Sequence, residues 1–448
     1  MTHSTIEATF EQVADEVLDH LRELLRLDTR NPPGNETRAA DYLQAVLERE
    51  GIESVIVGPS ADRGSLVARI RGDGSERPLL LMSHTDVVAV EPDKWTEDPF
   101  GARIVDGYLY GRGALDMKHM VAMELQTMLL LKRHGVPLKR DVIFMAAADE
   151  EVGGHAGAGW LVRNRPDLIE AEYALNEGGG SGFEINGQTY YSVQTAEKGT
   201  ARFRLRTRGR PGHGSQPHDD NAILKLATRL LRLGETRLPV HLTQTVKAYI
   251  TALASAQSGE LRTQLLTILD PAHTDAAIEA LDLDENIKRG LRSIVRNTVS
   301  PTMLQAGSQI NVIPSVAEAS LDGRILPGWT PETFRGELLE IFGEDAEINF
   351  LEPSEPLEAD PSGPMLETIK AALAEREPKA AVVPVMLSGA TDAKHIAKLG
   401  TRVYGFAPGL VTGPAEWNRI HGHDERIAVD SLRWGARTLY EVVERFCR

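Results

Sequence analysis

The stretch from Leu79 to Val88, LLLMSHTDVV, is an apolar run that ends in polar residues. Its first half is typical of a strand buried in a parallel sheet. His84 and Asp86 follow where the carboxyl end of such a strand would open into a ligand-binding crevice. A histidine there can bind a metal ion while a carboxylate orients its ring. The alternative is a strand that simply ends in polar loop residues.

Four further segments place acids or histidines after apolar or glycine-rich runs. GRGALDMK carries Asp116 in a turn before a helical stretch, and VIFMAAADEE ends in the three acids Asp149–Glu151. Glu177 follows the apolar run YALN, and His421 opens the segment HGHDE near the C-terminus. Strand ends that converge with such side chains indicate a site for two metal ions.

The residues of these motifs and their order along the chain resemble those of the co-catalytic zinc peptidases and amidohydrolases. That family includes aminoacylase, acetylornithine deacetylase, succinyl-diaminopimelate desuccinylase, carboxypeptidase G and related dipeptidases, and the motifs are most similar to those of aminoacylase. The resemblance covers most of the chain. Its segments are Ser83–Val88, Gly111–Lys118, Asp149–His155, Gly209–Ser215, Asn311–Pro314 and His421–Arg426.

A chain of 448 residues is too long for one ordinary core, so we expect two domains. Helical and strand patterns alternate from Glu36 to Gly180, which predicts an α/β catalytic domain with a largely parallel sheet. The later pattern resembles the family's ferredoxin-like α+β lid and dimerisation domain, inserted into the catalytic domain. The expected bounds are 1–198 and 354–448 for the catalytic domain and 199–353 for the lid, with a helical insertion at about 239–300.

The resemblance implies two zinc ions, with cobalt or manganese as substitutes, and assigns five ligands position by position. His84, Asp116 and Glu177 would hold one ion. Asp116, Glu151 and His421 would hold the other, so that Asp116 bridges the pair. Each ion must also keep a position for water or substrate.

Three residues are expected to support the chemistry. Glu150 precedes a ligand at a strand end and can face the open side of the metal pair, so we assign it as the general base. Asp86 would accept the second imidazole N–H of His84, although a strand-end cap is the alternative. The resemblance implies that His213 reaches across a dimer to stabilise the oxyanion, whereas a histidine in this setting is ordinarily a surface or turn residue.

The resemblance also suggests three substrate contacts. Arg324 occupies the position from which a lid arginine binds a substrate carboxylate, and its alternative role is a salt bridge at a strand edge. Asn311 would be a second donor, or else a turn residue before Pro314. Lys394 stands where relatives often have arginine, and a lysine there loses the bidentate fork of a guanidinium.

Composition limits the partners. Lys and Arg number 49 against 65 Asp and Glu, a net charge of −16, so we expect neither a nucleic-acid nor a membrane partner, both of which require a basic surface.

Cys447 is the single cysteine, which excludes an internal disulfide and a thiolate metal site. The apolar residues between Met1 and Leu27 follow helical spacing without the basic region of a signal peptide. We therefore expect a soluble cytoplasmic protein.

The leading hypothesis is a homodimeric di-zinc hydrolase that cleaves the amide bond of N-acyl amino acids or small peptides with a free carboxylate. It would be of the aminoacylase, deacetylase or carboxypeptidase type. The first alternative is a dipeptidase or carboxypeptidase that uses the same site. The second is a non-catalytic metal-binding dimer, which would normally lack a ligand or the base, and the motifs lack neither.

Overall fold

The computed structural model describes residues 3–411, 413, 416 and 418–448, with side chains from Ala14 onward. The described chain forms two compact units. The first contains the residues up to Thr195, Ala359–Val385 and Thr391–Arg448, and the second contains Ala196–Glu358 and Met386–Ala390.

The strands and helices follow one another along the whole described chain. In chain order, the strands are β1 Glu53–Val57, β2 Ser65–Ile70, β3 Leu79–His84, β4 Ile104–Val105, β5 Tyr108–Tyr110, β6 Val142–Ala147, β7 Tyr173–Asn176, β8 Gly182–Ile185, β9 Gln188–Glu197, β10 Gly199–Thr200, β11 Phe203–Arg208, β12 Gly212–His213, β13 Thr298–Ala306, β14 Val312–Ile313, β15 Val316–Ile325, β16 Glu347–Phe350, β17 Leu357–Glu358, β18 Ala381–Leu387, β19 Arg402–Gly405 and β20 Arg426–Ala428. The helices are α1 His3–Arg26, α2 Thr37–Arg49, α3 Lys118–Arg133, α4 Ala158–Asn164, α5 Pro166–Ile169, α6 Ala222–Glu235, α7 Gln244–Ser255, α8 Gly259–Thr267, α9 Thr274–Ala280, α10 Glu285–Ile294, α11 Pro331–Phe342, α12 Pro364–Arg376, α13 Ala393–Ile396 and α14 Val429–Cys447.

The strands of the first unit pair in the order β1-β2-β6-β3-β7-β19-β9. The four central strands, β6, β3, β7 and β19, are parallel to one another, and the flanking pairs are antiparallel. This arrangement confirms the predicted α/β fold with a parallel centre.

Strands β3 and β6 are buried at every position, which explains why LLLMSH and VIFMAA read as continuous rather than alternating patterns. Helix α3 is buried along most of its length and packs against α1 and α14. The sheet and these helices share one hydrophobic core, in which Leu81, Met120 and Leu439 are fully buried. This core fixes the positions of the strand ends that carry the site.

The second unit contains an antiparallel sheet in the order β16-β11-β15-β13, with β10 also paired to β15. Helix α6 follows β11 and helix α11 follows β15, so the chain has the βαββαβ order of a ferredoxin-like fold. Strand β15 alternates buried and half-buried residues, as expected for a sheet with one face on a core.

The helices α7–α10 lie between α6 and β13 in the chain, inside the range 239–300 that the sequence suggested as an insertion. In the part of the chain that the structure describes, every helix is too short or too polar to span a lipid bilayer.

Candidate metal centre

Three neighbouring parallel strands end at the candidate site. Strand β3 ends at His84, which lies opposite Ala147 at the end of β6. The acids Asp149–Glu151 follow β6, and Glu177 follows directly after β7. Because the carboxyl ends of parallel strands meet at one edge of the sheet, residues far apart in sequence come together.

The first predicted ligand set is assembled around His84. Its Nε2 lies 3.1 Å from Asp116 Oδ1 and 3.9 Å from Glu177 Oε2. One ligand atom from each of the three residues lies within 4.8 Å of the others. His84 is buried, while the two acids are partly accessible. This arrangement is suitable for one metal ion.

The second predicted set is assembled around His421, whose Nε2 lies 3.1 Å from both Asp116 Oδ2 and Glu151 Oε2. These three residues also offer ligand atoms within 4.8 Å of one another. The two carboxylate oxygens of Asp116 therefore face different histidines, one in each set. That is the geometry required of a carboxylate that bridges two metal ions.

The donor set fits a pair of divalent cations. Imidazole nitrogens and carboxylate oxygens are ligands of zinc and of other transition metals. Glu151 Oε1 is buried without a hydrogen-bond partner among the described residues, as expected of an oxygen that binds an ion. The Asp116 and Glu151 carboxylates accept hydrogen bonds from His421 and raise its pKa to about 10, so negative charge is concentrated around this imidazole.

The Glu150–Glu151 turn follows an unusual backbone conformation. Asp149 lies in the left-handed region, with φ of 75°, and a short 3-10 turn spans Glu150–Val152. The turn directs the Glu151 side chain toward His421, and Glu150 lies close to Glu177 and His84. Burial and the nearby charge of Glu177 raise the pKa of Glu150.

Asp86 contacts both His84 and this turn. The backbone carbonyl of Asp86 lies 3.0 Å from His84 Nδ1, and its carboxylate Oδ1 lies 3.4 Å from the same atom. The carboxylate accepts hydrogen bonds from the backbone N–H groups of Glu150 and Glu151 and from Asn31 Nδ2. Asp86 thus links His84 to the turn that carries the proposed base.

Asp149 is held by residues that the motifs in the sequence do not reveal. Arg63 forms ion pairs with Asp149 and, at 3.1 Å, with Glu36, while Ala156 N donates to Asp149 Oδ2 at 2.7 Å. Arg63 is in the loop between β1 and β2, where an arginine resembles an ordinary surface charge. No local pattern in the sequence distinguishes it.

The predicted substrate-binding residues belong to both units. Lys394 lies on α13 in the first unit. Burial and the charge of Glu177 raise the pKa of Glu150, and the positive charge of Lys394 offsets part of that rise. Arg324 lies on β15 in the second unit, where Asp322 accepts hydrogen bonds from its Nε at 2.6 Å and its Nη2 at 3.2 Å. This salt bridge is the alternative role that the sequence suggested.

His213 and Asn311 are neighbours in the second unit. Strand β12 pairs with β14, so that His213 lies opposite Val312, and Gly214 N donates to the carbonyl oxygen of Asn311 at 2.7 Å. His213 is exposed, and its Nδ1 accepts a hydrogen bond from Ser215 N at 3.2 Å. Its Nε2 is thus the ring nitrogen directed away from these local contacts.

Comparisons with known proteins agree with the geometry. Residues 80–445 match the model of Peptidase family M20/M25/M40. N-fatty-acyl-amino acid synthase/hydrolase PM20D1 of Xenopus tropicalis is 28% identical over 410 residues, which cover 88% of this chain and 77% of that protein. Aminoacylase-1 of Sus scrofa is 28% identical over 420 residues, which cover 91% of this chain and 89% of that protein.

Solved structures share the fold. The M20 family metallo-carboxypeptidase Sso-CP2 from Sulfolobus solfataricus superimposes with a TM-score of 0.71 at 19% identity, covering 96% of this chain and 99% of that one. The Bacillus subtilis YXEP protein, described as a dinuclear metal binding peptidase from the M20 family, gives a TM-score of 0.62 at 15% identity, covering 98% and 99%. With the match over residues 80–445, the chain belongs to peptidase family M20/M25/M40 and is a metal-dependent hydrolase of amide bonds.

Proposed function

We propose that the protein hydrolyses N-acyl amino acids or small peptides that carry a free carboxylate, with two zinc ions held by His84, Asp116, Glu151, Glu177 and His421. The observation that carries this proposal is the position of Asp116, whose two oxygens each lie 3.1 Å from a different histidine. Cobalt or manganese would occupy the same nitrogen and oxygen donors.

Bound metal ions would lower the pKa of a water molecule to about 7 and polarise the substrate carbonyl. Glu150 would take the proton from that water and then deliver it to the leaving amine. Asp86 supports this role because its carboxylate holds the Glu150 backbone N–H at 3.1 Å. The same carboxylate fixes the neighbouring ligand Glu151, so the base and the metal centre keep a constant relative position.

We propose that the first unit is the catalytic domain and the second unit is the lid and dimerisation domain. In the second unit, β13 is an edge strand whose residues from Ser300 onward are all exposed, including Met303 and Leu304 at 57% and 65%. Leu224 and Leu231 on α6 are also exposed. An exposed apolar edge strand pairs readily with another strand, so we propose a homodimer through β13 and α6.

Within that dimer, His213 would stabilise the oxyanion in the active site of the partner subunit. Two observations support this role. His213 is exposed, and it lies on the two-residue strand β12, so its side chain is accessible to another subunit. Asn311 would donate a further hydrogen bond to the substrate from the adjacent strand.

Arg324 is the proposed anchor for the substrate carboxylate, with Lys394 as an auxiliary charge. In the structure Arg324 donates two hydrogen bonds to the Asp322 carboxylate, through Nε and Nη2, so its guanidinium can bind a planar carboxylate. Binding of substrate would then require exchange of one carboxylate for another.

The name of the Sulfolobus relative favours one further candidate, a dipeptidase or carboxypeptidase activity at the same site. The names of the curated relatives favour the acylase activity. Rates of hydrolysis of N-acyl amino acids and of unblocked dipeptides by the zinc-loaded protein would decide between them. A protein that bound zinc but hydrolysed neither series would be the non-catalytic dimer.

We also propose the cytoplasm as the location of the protein. The single cysteine, Cys447, is fully buried and requires no oxidising compartment. Cell fractionation followed by detection of the protein tests this proposal.

A further inference from the structure

The second candidate metal set joins segments that are far apart in the sequence. Asp116 lies in the turn between β5 and α3, whereas His421 lies on a loop just before β20. Strands β5 and β20 are antiparallel neighbours, with Arg426 opposite Tyr110. The ladder therefore brings the two loops side by side, but strand pairing alone does not fix the side chains at their ends.

One buried carboxylate fills the space between the two loops. Glu425 has no exposed surface. Its Oε1 accepts hydrogen bonds from the backbone N–H groups of Leu115 at 2.7 Å and Asp116 at 3.1 Å. Its Oε2 accepts from Gly113 N at 3.1 Å and from Arg112 Nη1 at 2.5 Å. Four donors thus satisfy a charge that would otherwise be costly to bury.

Arg112 holds the opposite loop. Its Nη2 donates to the carbonyl oxygen of Gly422, the residue after His421, at 2.9 Å. Arg112 is 2% exposed, and its guanidinium lies 5.3 Å from the centre of the Trp95 ring. His421 itself has a φ of 60°, a backbone conformation that persists only where the surroundings hold it.

We propose that Glu425 and Arg112 form a clamp that positions Asp116 and His421 for a shared metal ion. Glu425 is a positioning residue in this scheme and not a ligand, because both of its oxygens are directed at N–H donors. The inference rests on the proposed function, since it requires Asp116 and His421 to be ligands. Metal affinity at the second site then depends on a carboxylate 309 residues away from Asp116 in the sequence.

A carboxylate is needed for this role because a glutamine amide offers one oxygen and places an NH₂ donor against other N–H donors. In Glu425→Gln, at least one of the loop N–H groups loses its acceptor. The Asp116 loop is then free to move relative to His421. The shape of the residue stays nearly the same, so the variant changes the hydrogen bonds more than the packing.

The test is a chelator competition on the folded, full-length protein, with zinc as the probe and the two ions resolved by calorimetry. In Glu425→Gln we expect affinity for the ion at the second set, Asp116, Glu151 and His421, to fall by about 10 to 100-fold. Excess zinc should then restore kcat with KM unchanged. Glu441→Gln is the matched control, because Glu441 is also an acid held by arginines, at 3.3 Å from Arg376 and 2.9 Å from Arg437, and it should bind zinc like the wild type.

A second variant covers the case in which Glu425→Gln does not fold. Arg112→Lys keeps the charge, but one ammonium group cannot take the place of the two nitrogens that contact Glu425 and Gly422. It should also weaken the ion at His421. Zinc affinities within twofold of wild type in a folded clamp variant would overturn the clamp. If instead His421→Ala bound both ions as tightly as the wild type, the ligand assignment itself would be wrong.

Discussion

The Asp86 carboxylate accepts a hydrogen bond from the backbone N–H of Glu150 at 3.1 Å. Its second oxygen accepts from Glu151 N at 3.2 Å, and its backbone carbonyl lies 3.0 Å from His84 Nδ1. One buried acid therefore holds a proposed metal ligand from one strand end and the proposed base from the next. The geometry of the proposed catalytic site depends on the backbone of the turn as well as on the side chains that it carries.

We expect Glu150→Gln to lower kcat by at least about 100-fold while both metal ions stay bound. The amide preserves the shape of the side chain and removes the group that takes the proton. Steady-state kinetics and metal analysis on the same sample check this expectation. Near-normal turnover at full metal content would show that another group is the base.

We expect Leu304→Lys to weaken the dimer at least about tenfold, which corresponds to about 1.4 kcal/mol. The substitution places a charge on the exposed edge strand β13, where a partner strand would have to desolvate it. Light scattering over a range of concentrations measures the change. Leu351→Lys is the matched control, because Leu351 is an exposed apolar residue next to β16, at the opposite edge of the same sheet. Equal effects of the two variants would exclude β13 from the interface.

We expect mixed dimers of His213→Ala and Glu150→Gln to regain activity that neither variant has alone. If His213 acts on the partner's site, each heterodimer contains one complete site, so random mixing restores up to about a quarter of wild-type activity. Subunit exchange followed by an activity assay makes the measurement. Heterodimers that are demonstrably formed but inactive would place His213 outside the partner's site.

We expect Arg324→Ala to lower kcat/KM for a carboxylate substrate by about tenfold or more, and Lys394→Ala to have a smaller effect. Charge-assisted hydrogen bonds contribute about 1.5 to 3 kcal/mol each, and only the guanidinium offers two in parallel. The carboxamide analogue of the substrate is the control, and Arg324→Ala should leave its slow hydrolysis nearly unchanged. Equal proportional losses on both substrates would make Arg324 a structural residue and Lys394 the better anchor.

The sequence predicts those parts of the site that depend on local pattern. Continuous apolar runs in β3 and β6 reveal buried parallel strands, and the polar residues that follow must then lie at one sheet edge. The expectation that His84 and Glu177 lie close together follows from that rule alone. Fold class and family could therefore be predicted, and the structure and comparisons confirm both.

Other features depend on contacts that no local pattern records. Arg112 and Glu425 are 313 residues apart, and each occupies a segment that reads as a polar loop. Arg63 is equally inconspicuous, although it holds Asp149 from a different loop. Met386–Ala390 belong to the second unit, although the residues before and after them belong to the first, and Leu387 O accepts a hydrogen bond from Lys198 N at 3.0 Å. Such contacts become visible only when the strands are assembled.

The metal content of Asp116→Ala tests the central claim most directly. Asp116 faces both histidines, so its removal should weaken both ions at once, whereas loss of any other ligand should affect mainly one. Elemental analysis after dialysis should find two zinc ions per chain in the wild type and fewer than one in Asp116→Ala. Two tightly held ions in that variant would contradict a metal pair bridged by Asp116.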